Sequence, residues 1–330
     1  MMKVVGIGNA LVDVMTIIEN DDLLKQLGFP KGSMQLVDNE LSNRIKTETK
    51  QFVESLKSGG SAANTIHGLG MLGVEVGFIG SVGKDKIGDI FESDMKSAGV
   101  RSYLMRRDQD SGTAVAMITP DSERTFATHL GAAVEMESSD LFIGLFQGYD
   151  FLYLEGYLIT NIELVKKACK LAKEAGLKIG IDLSSFNVVE AFREQFIEIV
   201  NDYVDVIFAN EEEAKSFTGL EPEAALGKMA EKCEIVIVKV GKEGSLIKRG
   251  EETVRVGTIE VKSLDTTGAG DLYAAGFLYG LTKNMSLEIC GTIGSLLAGN
   301  VIEVVGPKMD QQRWEKIREE IKRLEEIHAI

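Results

Sequence analysis

Asp265-Thr266-Thr267-Gly268-Ala269-Gly270-Asp271 runs straight into Leu272-Tyr273-Ala274-Ala275 and, one residue on, Phe277-Leu278. Small residues thus lead directly into an apolar helical pattern. Without large side chains, Gly268, Ala269 and Gly270 can turn their N–H groups toward an anion. The first N–H groups of a helix have no internal partner, and the helix dipole adds positive potential. The stretch therefore predicts a phosphate-binding helix start. Asp271 falls in the first turn, beside that cradle. A carboxylate there suits a general base that takes the proton of an attacking hydroxyl while a phosphoryl group rests on the N–H groups. Taken alone, a first-turn Asp also simply complements the dipole.

Outward from this stretch, short apolar runs alternate with helical patterns. Lys3–Gly8, Val76–Gly80, Phe151–Glu155, Lys178–Asp182, Val204–Phe208 and Ile235–Val240 read as buried strands. Runs without polar alternation suit a parallel sheet covered on both faces. Asn161–Ala175 reads as a helix stopped by Gly176. This alternation predicts an α/β fold, a doubly wound, mostly parallel sheet flanked by helices. Asp310–Ile327 reads as a last helix, with Trp314, Ile317, Ile321 and Leu324 forming one apolar stripe. Two regions break the rhythm, at about 15–37 and about 101–130. The second holds the strand-like Thr113–Ile118 and Arg124–Thr128. Both read as surface hairpins or as one small sheet.

Composition narrows the function. Of the 330 residues, 44% are hydrophobic, enough for a large core, and the 4 Pro and absence of low-complexity sequence favour one body over two linked ones. A formal net charge of −15 with no basic stripe argues against nucleic acid or an anionic membrane surface as partner. Cys169, Cys233 and Cys290 are far apart and His67, His129 and His328 are the only histidines, so neither a disulfide framework nor a zinc site is expected. No run reaches the roughly 18 apolar residues that span a bilayer. The first residues, Met1 to Asp13, read as a strand without a cleavage pattern, so a cytoplasmic location is expected.

Known nucleotide motifs are mostly missing. Gly6-Ile7-Gly8 follows a strand, but Leu11 stands where a dinucleotide fingerprint needs its third glycine. That weakens the alternative of an oxidoreductase. Gly83-Lys84-Asp85 and Gly241-Lys242-Glu243 lack the spacing and the Ser/Thr of a P-loop, and the protein-kinase motif set is absent.

Far upstream of the first motif, Gly59-Gly60-Ser61-Ala62-Ala63-Asn64 places a Gly-Gly pair and an Asn at a predicted helix start. Together the two stretches closely resemble the signatures of the PfkB, or ribokinase-like, carbohydrate-kinase family, and the resemblance covers essentially the whole chain. It implies one kinase domain over 1–330, dependent on ATP and Mg2+, with a small β lid built from about 15–37 and 101–130. Asp271 would be the base, with Gly268, Ala269 and Gly270 as anion hole. Asp13, in Gly8-Asn9-Ala10-Leu11-Val12-Asp13, would bind substrate hydroxyls, framed by Gly59, Gly60 and Asn64. Asn210-Glu211-Glu212-Glu213 matches the family's Asn-x-x-Glu motif, in which Glu213 acts on Mg2+ through water; the same residues also read as a capping box. Lys239, Gly241, Gly244 and Thr266 would border the nucleotide, with Lys239 standing where related enzymes often carry a small polar residue. Asp265 and Thr267 match positions that hold a monovalent cation, K+, in some relatives.

The passages at Gly8–Asp13, His129–Ala133, Tyr153–Tyr157 and Asp182–Ser185 look more like adenosine kinases than ribokinases. The resemblance therefore implies a nucleoside acceptor, whose base needs an apolar slot, for which Met34, Met117 and Phe126 are candidates. A free sugar such as fructose, ribose or 2-keto-3-deoxygluconate is the alternative, and a non-catalytic sugar or nucleotide sensor a third. Arg124 would either stabilise phosphate charge or pair with Glu123. A homodimer through the lid sheet is a family possibility.

Overall fold

The computed structural model describes residues 1–121 and 123–328. Fourteen strands lie among them: β1 (Val4–Ile7), β2 (Leu11–Ile17), β3 (Met34–Leu36), β4 (Val53–Gly59), β5 (Val76–Gly83), β6 (Val100–Arg107), β7 (Gly112–Ile118), β8 (Arg124–His129), β9 (Phe151–Glu155), β10 (Lys178–Asp182), β11 (Val206–Asn210), β12 (Ile235–Lys239), β13 (Ser245–Arg249) and β14 (Glu252–Val256). Nine form a sheet in the order β14-β13-β12-β11-β10-β9-β1-β5-β6, parallel from β12 through β6, with β13 and β14 as an antiparallel hairpin at one edge. Val4, Val5 and Ile7 of β1 are fully buried, as central strands covered on both faces require. Apolar clusters lie on both sides. Helices Ser61–Met71, Ala269–Thr282 and Leu287–Val301 pack on one face, and helices Ile162–Glu174, Arg193–Tyr203 and Glu211–Thr218 on the other. This is the doubly wound architecture that the strand pattern predicts.

Helix Ile162–Glu174 starts where the sequence places it. The Asn161 side chain accepts from Leu164 N at 3.2 Å, and Leu164, Val165, Ala168, Cys169, Leu171 and Ala172 form its buried stripe. In helix Gln311–His328, Trp314, Ile317 and Ile321 are buried, with Leu324 packed beside them. The 204–208 strand lies two residues later, at Val206–Asn210, which puts a polar residue at its end.

The second sheet has the order β3-β8-β7-β2-β4. Its β2 pairs parallel with β7 and antiparallel with β4. Two boundaries differ from the expected lid segments. Residues 101–107 belong to β6, paired along its length with β5 at the edge of the large sheet. Strand β4 and helix Asn39–Thr49, outside those segments, belong to the small sheet; Ile45 of that helix packs on Val14 and Val115. This polar stretch carries little hydrophobic patterning, and only pairing with β2 reveals the strand.

The turn from β4 into helix Ser61–Met71 depends on Gly60, which has φ +96° and lies so close to the Asn9 carbonyl oxygen that a Cβ would overlap it. Gly28 has φ +68° with open space around it. Gly60→Ala is expected to destabilise the fold by more than the roughly 1–3 kcal/mol that backbone strain alone costs, and by more than Gly28→Ala. Urea denaturation of both variants checks this.

Candidate active site

Four neighbouring parallel strands each end on a polar residue: Glu155 on β9, Asp182 on β10, Asn210 on β11 and Lys239 on β12. Their carboxyl ends are where open α/β sheets bind ligands. A cleft of about 1030 Å³ opens there, lined by Asp182, Asn210 and Lys239 together with the starts of helices Ser61–Met71 and Ala269–Thr282.

Gly268 precedes helix Ala269–Thr282 with φ +77°, a left-handed turn that glycine tolerates. Asp271 in the first turn is held from across the molecule. Its Oδ1 accepts from Ser61 Oγ at 2.7 Å and its Oδ2 from Asn64 Nδ2 at 2.9 Å. Thr65 Oγ1 also donates to the Asp271 carbonyl at 3.1 Å. Burial pushes the Asp271 carboxyl up to about 6; the two side-chain hydrogen bonds and Lys239 offset part of that effect, while Asp182 adds to it. Side chains from the first turn of one helix therefore hold a carboxylate in the first turn of another.

Lys239 supplies positive charge at this point. Its Nζ is 3.1 Å from Asp182 Oδ2 and 3.2 Å from where a Cβ on Gly270 would sit. Burial alone would lower the ammonium, but Asp182 and Glu213 outweigh it and hold the group above its ordinary value. Glu213 and Asn210 form a complete capping box. Glu213 Oε2 accepts from Asn210 N and Asn210 Oδ1 from Glu213 N, each at 2.8 Å. Burial, then Asp182, pushes the Glu213 carboxyl up, and Lys239 opposes this.

At the other end, Asp13 on β2 lines the cleft. Burial pushes its carboxyl up to about 7; Lys308 works against this, and Asp271 and Asp265 with it. Gly59 does not line the cleft but makes room for Asp13, because a Cβ there would overlap the carboxylate. Glu155, behind them, accepts from Asn9 Nδ2 at 2.7 Å and from Ala62 N at 3.0 Å, fixing the helix start beside Asn64.

Asp13, Gly60, Asn64, Asn210, Glu213, Lys239, Gly241, Gly244, Thr266, Thr267, Gly268, Ala269, Gly270 and Asp271 thus line one cleft. Asp265 does not. Its Oδ1 accepts from Thr267 N at 2.9 Å and its Oδ2 from Gly306 N at 2.6 Å, and it pairs with Arg124 of the small sheet. The pair is buried, with side chains 8% and 4% exposed. Arg124 therefore meets Asp265 instead of Glu123. Met34, Met117 and Phe126 do not line the cleft: Met117 is buried within the small sheet, and Met34 is 54% exposed. The site also includes Ser61 and Asp182, which sequence reasoning did not assign roles. The signal for Asp182 was a polar residue closing an apolar run.

Mg2+ suits hard carboxylate oxygens, and Asp182 and Glu213 provide them. Among the described residues no group of three His, Cys, Asp or Glu side chains converges to hold a metal. No helix among them is long and apolar enough to cross a membrane.

A doubly wound sheet with two helix starts meeting at a buried carboxylate and a lysine fits a small-molecule kinase. The pfkB family carbohydrate kinase model matches residues 32–313, and the chain belongs to that family. It is similar to a probable sugar kinase from Rhizobium etli, at 33% identity and a TM-score of 0.87 over 97% of this chain and 98% of that one. It resembles the adenosine kinase of Sinorhizobium meliloti comparably, at 33% identity and TM-score 0.85 over 97% and 99%. Adenosine kinase of Saccharomyces cerevisiae is 30% identical over 333 residues, 94% of this chain and 97% of that protein.

Removing one partner of a buried ion pair costs about 3–5 kcal/mol, because the other charge stays buried. Arg124→Met should therefore destabilise by that amount. Adding Asp265→Asn should recover part of it, and a double-mutant cycle in urea measures the coupling.

Proposed function

We propose that this chain transfers the γ-phosphoryl group of ATP to an alcohol group of a nucleoside such as adenosine, with Asp271 as general base. The observation that carries this is the Asp271 carboxylate fixed by Ser61 and Asn64 beside the Gly268–Gly270 turn and Lys239. Asp13 accepts hydrogen bonds from acceptor hydroxyls, and Gly60 and Asn64 frame the same group. Asp271 takes the hydroxyl proton as the acceptor oxygen bonds to the γ-phosphorus. The bond from γ-phosphorus to the bridging oxygen breaks, and ADP leaves with that oxygen. The N–H group of Gly270 faces the developing phosphoryl charge, and the Lys239 ammonium adds to it, while the Ala269 N–H closes the turn onto the Thr266 carbonyl at 3.1 Å. Thr266, Gly241 and Gly244 border the rest of the nucleotide, and Ile259, Val261, Ala298 and Ile302 give its base an apolar wall. Mg2+, when bound, would neutralise phosphate charge, and Glu213 and Asp182 are the cleft carboxylates that would hold it. The small sheet stands over the acceptor end through β2 as a lid, excluding water from the transfer.

The full-length likeness to two adenosine kinases supports a nucleoside acceptor. One observation favours a free sugar instead: the three residues expected to form the base slot do not line the cleft.

A panel of adenosine, other nucleosides and free sugars, assayed with Mg2+ and ATP, separates the two readings; efficient turnover of adenosine is the expected result. Asp271→Asn is expected to lower kcat by about 10²–10⁴-fold. Because the base must be ionised, wild-type turnover should fall as the pH drops through about 6. Full activity in Asp271→Asn removes the base assignment.

The expected potassium site fits poorly, since the Asp265 carboxylate already faces a guanidinium. Arg124 supplies that charge in the reading proposed here. Equal kcat in NaCl and KCl is the expected outcome, and a several-fold potassium stimulation would restore the cation site.

A further inference from the structure

Ser184 belongs to no part of the mechanism above, yet it lines the cleft. Among the described residues only Ser184 and Asn284 are non-glycine residues with φ in the left-handed region, at +67° and +56°. Asn284 is exposed, just past helix Ala269–Thr282, and asparagine is one of the few residues that visit this region readily. Serine lacks that tolerance, and Ser184 stands at the carboxyl end of β10, two residues past Asp182. Strained backbone of this kind costs free energy, persists only where its surroundings over-determine it, and clusters at functional sites.

The surroundings do over-determine it. Leu183 N donates to the Phe208 carbonyl at 3.0 Å. Ser184 Oγ accepts from Gly156 N at 2.9 Å and donates to the Asp182 carbonyl at 3.2 Å. The Ser184 carbonyl accepts from the Tyr157 hydroxyl at 3.3 Å. Gly156, just past β9, packs on the same turn, where a Cβ would sit 2.4 Å from the Asp182 carbonyl oxygen. The ends of three neighbouring strands, β9, β10 and β11, thus hold one strained residue in place.

What the turn achieves is aim. It points Ser184 N at Asp182 Oδ1, 2.8 Å away. The other carboxylate oxygen, Oδ2, accepts from Lys239 Nζ at 3.1 Å, and that ammonium stands 3.2 Å from where a Cβ on Gly270 would sit. The Asp182 and Lys239 side chains are only 6% and 16% exposed, so water competes little for the pair. A charge-assisted chain therefore runs from a strained peptide through Asp182 to the ammonium beside the Gly268–Gly270 turn.

We propose that Ser184 is a positioning residue for the phosphoryl donor: its left-handed turn fixes Asp182 and, through Asp182, sets where the Lys239 ammonium meets the phosphates. The inference rests on the reading of Lys239 as a phosphate-facing group. With the turn relaxed to negative φ, Ser184 N leaves Oδ1, the carboxylate is free to rotate, and Lys239 loses the fixed partner that holds it beside Gly270.

The test compares Ser184→Gly with Ser184→Thr. Glycine adopts the turn freely but has no hydroxyl; threonine keeps the hydroxyl, but its branched Cβ disfavours positive φ. Each variant is titrated calorimetrically with a non-hydrolysable ATP analogue plus Mg2+, and its stability is measured in urea. Ser184→Thr should weaken the analogue several-fold. Ser184→Gly should keep near wild-type affinity even though losing the Gly156 hydrogen bond lowers its stability, whereas affinity would follow stability if the serine were merely structural. In a Lys239→Met background, or Lys239→Gln should that variant fail to fold, the Ser184→Thr effect should disappear, because it acts through the ammonium. Should Ser184→Thr fail to fold, the unbranched Ser184→Ala gives the same comparison. Wild-type affinity in Ser184→Thr, or an equal loss in Ser184→Gly, overturns the inference and leaves the kinase reading intact. So does a Ser184→Thr effect that persists without Lys239. If Lys239→Met alone binds the analogue as wild type does, the reading of Lys239 falls, and the inference with it.

Discussion

Ser61 and Asn64 donate to Asp271 across 210 and 207 positions of sequence, and the rest of the site depends on that convergence. It brings the starts of two helices to one carboxylate, so both dipoles act on the same small volume. Close packing makes it possible. A Cβ on Gly68 would sit 3.0 Å from Ala275 Cβ and 3.0 Å from Leu272 Cδ1, so only a residue without a side chain lets the helices approach this far. Glu155 then holds the start of the first helix through Ala62 N, and Pro307 backs the Gly268 turn of the second. These supports hold Asp271 from both sides.

The cleft carries more acid than base. Asp13, Glu155, Glu213 and Asp271 are all pushed up, with burial the first cause in each. Lys239 opposes this for Glu213 and Asp271, and Lys308 for Asp13. Asp265 stands apart from this set. It joins the turn before Gly268, the Gly306 backbone and, through Arg124, the small sheet.

Much of this was legible in the residues. The buried strands stand out because a parallel sheet covered on both faces needs uninterrupted apolar runs. The Gly268–Asp271 and Gly59–Asn64 stretches show their turns because glycine is required where backbone passes close to backbone. Asn210 and Glu213 read correctly as a capping box, since that signal is local. What stayed hidden is long-range. Strand β4 is polar and becomes a strand only through pairing with β2. The partner of Arg124 lies far along the chain at Asp265, whereas sequence proximity suggested Glu123. Nothing near Lys308 in sequence marks its ammonium as buried. The final residues of β9, β10 and β12 form a row of Glu155, Asp182 and Lys239 that only the strand order brings together.

The central claim is that Asp271 moves a proton and is not required for binding. Calorimetric titration of Asp271→Asn with a non-hydrolysable ATP analogue plus Mg2+, and separately with adenosine, tests it most directly. The account predicts affinities within a few-fold of wild type for both ligands, in a variant that no longer turns over. Loss of binding for either ligand would contradict it, and would make Asp271 a binding or structural residue instead of the base.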